Sequence, residues 1–143
     1  MRYLLSSVLL ICLSAESVAI ETCSPGHGLD DQALLNLNFD RVRRDMAGAQ
    51  LSGTHTLRNV RYFRQNVFPD RNYWLARQAN RFNTLTKEST LRYAFPVNDG
   101  DDFNETLRQE AERIYRDKSF LYDALVLVRQ ICNEFVDLDV VVR

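Results

Sequence analysis

Residues 102–135 read DFNETLRQEAERIYRDKSFLYDALVLVRQICNEF, and the fold turns on how the apolar residues in that stretch are spaced. Leu107, Ala111, Ile114, Leu121, Leu125, Val128, Cys132 and Phe135 recur at steps of three, four and seven. That repeat lays side chains along one stripe of an α-helix, and only Lys118 interrupts it. Asp102 and Glu105 stand at capping-box spacing, with aspartate in the cap position. The spacing predicts one helix of about thirty residues.

Upstream segments carry the same period. Leu35, Phe39, Val42, Met46 and Ala49 alternate steps of four and three. A helix is therefore expected near 30–50, capped by Asp30 or Asp31 and stopped at Gly53. A second is expected over 56–68, where Leu57, Val60, Phe63 and Val67 share a side. Pro69 ends it, because its ring disfavours helical backbone at Phe68. A third follows near 71–86, with Asp70 as cap and Trp74, Leu75, Ala79, Phe82 and Leu85 turned inward. Two stretches break the period. Leu91, Tyr93, Phe95 and Val97 alternate with polar or small residues, and Val136, Leu138, Val140 and Val142 alternate around Asp137 and Asp139. A period of two marks extended chain. Four amphipathic stripes bury themselves most readily against one another. The expected fold class is all-α, a four-helix bundle-like single domain with a minor extended segment near 90–97 and at the C-terminus.

Residues 1–19, MRYLLSSVLLICLSAESVA, place an arginine beside the initiator methionine, an apolar run over 4–13, and Ser17-Val18-Ala19 ahead of Ile20. That layout is a secretory signal peptide. Its apolar run falls well short of the roughly twenty residues that span a bilayer, so the chain is not expected to be membrane-spanning. Residues 20–143 are then a single helical domain, secreted and extracellular. Cys12 departs with the leader. Cys23 and Cys132 remain, and in an oxidising compartment they read as one disulfide, worth about 4–5 kcal/mol in the loop-entropy model.

At 143 residues, 45% apolar and 26% charged, with a net charge of −1, the chain suits one hydrophobic core. The same balance excludes a disordered polyampholyte and a histone-like basic polymer. Catalysis finds little support. His27 lies in the loop Pro25-Gly26-His27-Gly28 and His55 in a turn, and neither has a nucleophile motif beside it. Gly-x-Ser-x-Gly, Cys-x-x-Cys and Gly-rich phosphate loops are absent. The acidic run 98–102 fails as a calcium loop, because Phe103 stands at the fifth position and Asn104 at the sixth. No catalytic residue, metal site or cofactor is expected. Asn104-Glu105-Thr106 is the only Asn-x-Ser/Thr sequon, which makes Asn104 the candidate glycosylation acceptor.

Charge is segregated along the chain. Residues 41–92 hold eleven bases against three acids, and residues 93–142 hold eleven acids against five bases. Arg58, Arg61 and Arg64 recur every three residues, and Arg77 and Arg81 stand four apart. On two helices these five would present a guanidinium face to an anionic partner, unless the acidic segment lies alongside and compensates them. Tyr62, Phe63, Phe68, Tyr73, Trp74, Phe82, Tyr93 and Phe95 crowd into the same region; the tyrosines suit a pocket or a contact surface. The expected function is extracellular recognition of another macromolecule without catalysis, in an effector- or ligand-type role. The expected partner is an extracellular protein or an anionic glycan or lipid surface, and not nucleic acid. The alternative is an extracellular carrier of a small apolar ligand held between the helices.

Overall fold

The computed structural model describes residues 22–46, 51–66, 74, 75, 78 and 85–143. The expected signal peptide over 1–19 lies outside them. The elements run β1 (Cys23–Pro25), α1 (Asp31–Leu35), α2 (Phe39–Asp45), β2 (His55–Arg64), α3 (Glu88–Ala94), β3 (Asp102–Phe103), α4 (Glu105–Arg116), β4 (Ala124–Cys132) and β5 (Phe135–Val142). The strands form one mixed sheet in the order β1-β4-β5-β2-β3. In it β5 runs parallel to β2 and antiparallel to β4. The all-α helical-bundle expectation is thus overturned in favour of an α/β fold.

The stretch 102–135 is not one helix. Asn104, rather than Asp102, caps α4, its side-chain oxygen accepting from Leu107 N, and Asp102 belongs to β3. The helix ends at Arg116. The run Ala124-Leu125-Val126-Leu127 is buried residue after residue, which is the signature of a strand covered on both faces rather than of a one-sided helix. Asn133, at φ 54, supplies the left-handed residue in the two-residue turn from β4 into β5. The alternation over 136–142 belongs to a central strand. Val136, Leu138, Val140 and Val142 enter one core, while Val141 enters the other.

Segment 56–68 is likewise a strand over most of its length, and its helical spacing has a physical cause. Leu57 pairs with Val136 and Asn59 with Asp137, so Arg58 is an extra residue in β2. This bulge stretches the two-residue period to three, which puts Leu57 and Val60 on one face. Arg129 does the same in β4, between Val128 and Gln130. The expected helix over 30–50 is broken into α1 and α2, each capped by its own residue, Asp30 and Asn38. Residues 90–97, expected to be extended, instead begin within α3, with Leu91 buried and Tyr93 facing out. Of the third expected helix, residues 74, 75 and 78 are helical and most of the remainder lies outside the described residues.

Helices cover both faces of the sheet. On one face Leu91 and Phe95 of the α3 region, Phe103, and Ala111 and Tyr115 of α4 pack onto Leu57, Val60, Val126 and Leu138. Tyr115 is fully buried and donates its hydroxyl to the Leu91 carbonyl at 2.6 Å. Burial raises the pKa of that phenol. On the other face Leu34, Leu37 and Phe39 pack onto Leu125, Leu127 and Val141.

Candidate functional site: a charged sheet face and the β4 edge

Asp137 and Asp139 lie on the α1/α2 side of the central strand, beyond the reach of the apolar cluster there, with their side chains almost wholly enclosed. The two bulges bring arginines to Asp137 from either side. Arg58 donates Nε to Oδ1 at 3.0 Å and Nη2 to Oδ2 at 2.7 Å, and Arg129 Nη2 lies 2.9 Å from Oδ2. Gln130 adds an amide donor at 2.6 Å. Burial pushes the Asp137 pKa up, but the hydrogen bonds from Arg58 and Gln130, with the charges of Arg129 and Arg58, outweigh it and hold the carboxyl at about 2. Asp139 binds Arg61 through both oxygens and also contacts His27. There too burial raises the pKa, and the hydrogen bonds from His27 and Arg61 turn the net shift downward.

The arginines expected to form a helical guanidinium face are therefore strand residues, and Arg58 and Arg61 are met by acids of the neighbouring strand. Arg64 is exposed, with Nη1 3.4 Å from the Thr86 carbonyl. Arg77 and Arg81 lie outside the described residues. The compensation considered for an acidic helix is supplied instead by β5. Its Val-Asp-Leu-Asp-Val alternation carried the signal: acids at every second place in an otherwise apolar strand must sit on one face and need partners there.

The two histidines are held differently. Leu29 N donates to His27 Nδ1 at 3.0 Å, so Nε2 carries the proton and donates it to Asp139 Oδ2 at 2.9 Å. Both nitrogens are engaged, and the side chain is 2% exposed. His55 Nε2 bonds the Ser52 carbonyl at 2.9 Å. Among the described residues no three His, Cys, Asp or Glu converge as metal ligands, and no helix is long and apolar enough to cross a membrane. Cys23 and Cys132 face each other across β1 and β4 and are joined by a disulfide; Arg58 Nη2 lies 3.3 Å from Cys132 Sγ. Asn104 is half-buried at the head of α4. The aromatic cluster is divided. Phe95 belongs to a core, Tyr62 and Phe63 pack against the two cores, and Trp74 and Tyr93 are exposed. Phe68, Tyr73 and Phe82 lie outside the described residues.

A second constellation escaped the sequence reading altogether. Along β4, the short β1 covers only Gln130–Cys132, and Gly26 and His27 extend the pairing to Arg129 and Val128. Gly26 passes so close that a Cβ there would sit 1.9 Å from the Val128 carbonyl oxygen. Beyond that point α4 replaces the missing strand with side chains. Glu112 Oε1 accepts from Val126 N at 3.0 Å, and Arg108 Nη1 donates to Val126 O at 3.0 Å. Arg108 also grips Glu105 and Glu112. Glu105 is held at about 2 by its hydrogen bonds from Arg108, against burial, with help from Leu51 N and Gln109. The i, i+3 and i+4 spacing of these residues was visible, but that pattern is equally common on solvated helix faces. Beside this cap, between α2 and α4, opens a cavity of about 360 Å³. None of the clustered aromatics lines it.

Comparison with protein-family models, with curated proteins and with solved structures yields no match.

Proposed function

We propose that this protein acts after export as an extracellular binding protein that recognises another macromolecule and performs no catalysis. The observation that carries this reading is the set of large aromatic side chains left in solvent, while the enclosed carboxylates Asp137 and Asp139 are bonded to Arg58, Arg61, Arg129 and His27. Tyr93 is 93% exposed, Tyr122 71% and Trp74 64%, and the Arg143 guanidinium lies 5.0 Å over the Tyr122 ring. Tyrosine, tryptophan and arginine are the side chains in which interface binding energy concentrates. A protein surface suits them better than a sulfated glycan or anionic lipid, because Asp137 and Asp139 already answer Arg58 and Arg61.

The test is a titration of fluorescently labelled protein onto cells of the producing organism. Saturable binding that trypsin treatment of the cells abolishes, and that Tyr93→Ser with Tyr122→Ser weakens at least about tenfold, is the expected result. Binding that survives trypsin but not excess heparin overturns the reading, as does binding indifferent to both substitutions.

A second reading, a carrier of a small apolar ligand, is supported by one observation, the cavity beside β4. Its volume falls within the roughly 300–1,000 Å³ of small-molecule sites.

A further inference from the structure

We infer that the cavity at the β4 edge selects small, uncharged, predominantly apolar molecules, an assignment that rests on the carrier reading above. The cavity exists because β1 is too short. Where a further strand residue would lie alongside β4, α2 and α4 overhang the sheet from its two faces and leave a slot between them. Its volume, about 360 Å³, corresponds to on the order of a dozen water volumes. Val42 of α2, its C-cap Met46, Leu51, and Leu127 and Ile131 of β4 give it an apolar lining.

The polar side of the slot is electrically closed. Arg43 and Arg108 supply two cations and Glu105 and Glu112 two anions. Arg108 is paired with both glutamates, and Arg43 with Asp123, 2.8 Å away. His27, also in the wall, has both ring nitrogens taken, by Leu29 N and Asp139. A charged ligand would leave water and find every counter-charge taken, whereas an uncharged one loses little hydration and covers apolar wall. A peptide strand fares no better. The Val126 N–H and C=O that it would pair with are held by Glu112 and Arg108, so its ladder bonds come only by displacing that ion pair.

N-phenyl-1-naphthylamine and 8-anilinonaphthalene-1-sulfonate share one ring skeleton and differ by a sulfonate, which makes them matched fluorescent probes. The neutral dye is expected to saturate at one per chain and to bind at least about tenfold more tightly than the sulfonate. Filling the slot with Val42→Phe and Met46→Trp should weaken the neutral dye by at least about tenfold, with circular dichroism unchanged; Gln109→Trp, at the exposed rim, is the independent filling variant should that pair fail to fold. Glu112→Gln, whose amide oxygen can still accept from Val126 N, removes one of the two anions that answer Arg108 and should narrow the gap between the dyes. Equal affinity for both dyes overturns the charge selection while the carrier reading stands. Saturable binding of neither dye overturns both. Neutral-dye binding undiminished in a folded filling variant overturns the location.

Discussion

Arg61 holds Asp139 by two hydrogen bonds, Nε to Oδ1 at 2.7 Å and Nη2 to Oδ2 at 2.8 Å, and the carboxylate beneath is wholly shut from solvent. A buried pair of this kind costs more to break than to delete. Arg61→Met strands the carboxylate with His27 alone and is expected to lower unfolding free energy by about 3 kcal/mol in urea titrations. Arg61→Met with Asp139→Leu removes both charges and should cost less than Arg61→Met by itself. A double variant weaker than the single one would show that the pair contributes net stability.

Stability should fall on acidification in a defined window. Glu105 and Asp137 have pKa values of about 2 in the folded protein, below the ordinary 4.5 and 3.8. A depressed carboxyl contributes stability that is fully present above its unfolded pKa and lost as pH falls through the folded value. Each is expected to surrender on the order of 2 kcal/mol between about pH 5 and pH 2. Asp137→Asn should be less stable at neutral pH and show a shallower slope across that window, measured by denaturation at a series of pH values.

Replacing the side-chain cap of β4 tests the edge directly. Glu112→Ala removes the acceptor of Val126 N, at an expected cost of about 1–3 kcal/mol. Hydrogen exchange should accelerate at Val126 first, while the amides of β5 keep their protection.

The disulfide fastens an otherwise exposed strand, since all three residues of β1 face solvent. Cys23→Ser with Cys132→Ser should lower stability by about 2–4 kcal/mol. The first amides to lose exchange protection should be Gly26 and His27, which bond the carbonyls of Arg129 and Val128.

Asn104 uses its side-chain oxygen to cap α4, which leaves the amide nitrogen outside that bond. In the unglycosylated protein Asn104→Ala should cost about 1 kcal/mol. Expression through a eukaryotic secretory route is expected to add a glycan that peptide N-glycosidase removes, read as a mass shift. An unshifted mass discards Asn104 as an acceptor.

Two departures from the helical expectation have local causes. The bulge at Arg58 turns a two-residue alternation into a step of three, so Leu57 and Val60 imitate a helical stripe, while Leu125 and Val128 of the expected stripe lie on opposite faces of a strand that is covered on both. Hydrophobic spacing alone does not separate a bulged strand from a helix. The unbroken apolar run over 124–128 does, because consecutive apolar residues suit a strand covered on both faces. What depends only on local chemistry was readable. Asp30 caps α1 as expected, and the alternation around Asp137 and Asp139 is that of extended chain. The cap on Val126 was beyond reach, because nothing in Arg108 or Glu112 announces which backbone they will meet eighteen and fourteen residues later.

The place of β5 between β4 and β2 also governs when the molecule can assemble. No strand made earlier can take the slot beside β2 that residues 135–142 fill, so the sheet has no middle until that stretch has been synthesised. The apolar faces of α1, α2 and α4 then wait on the last strand for the surface that they cover.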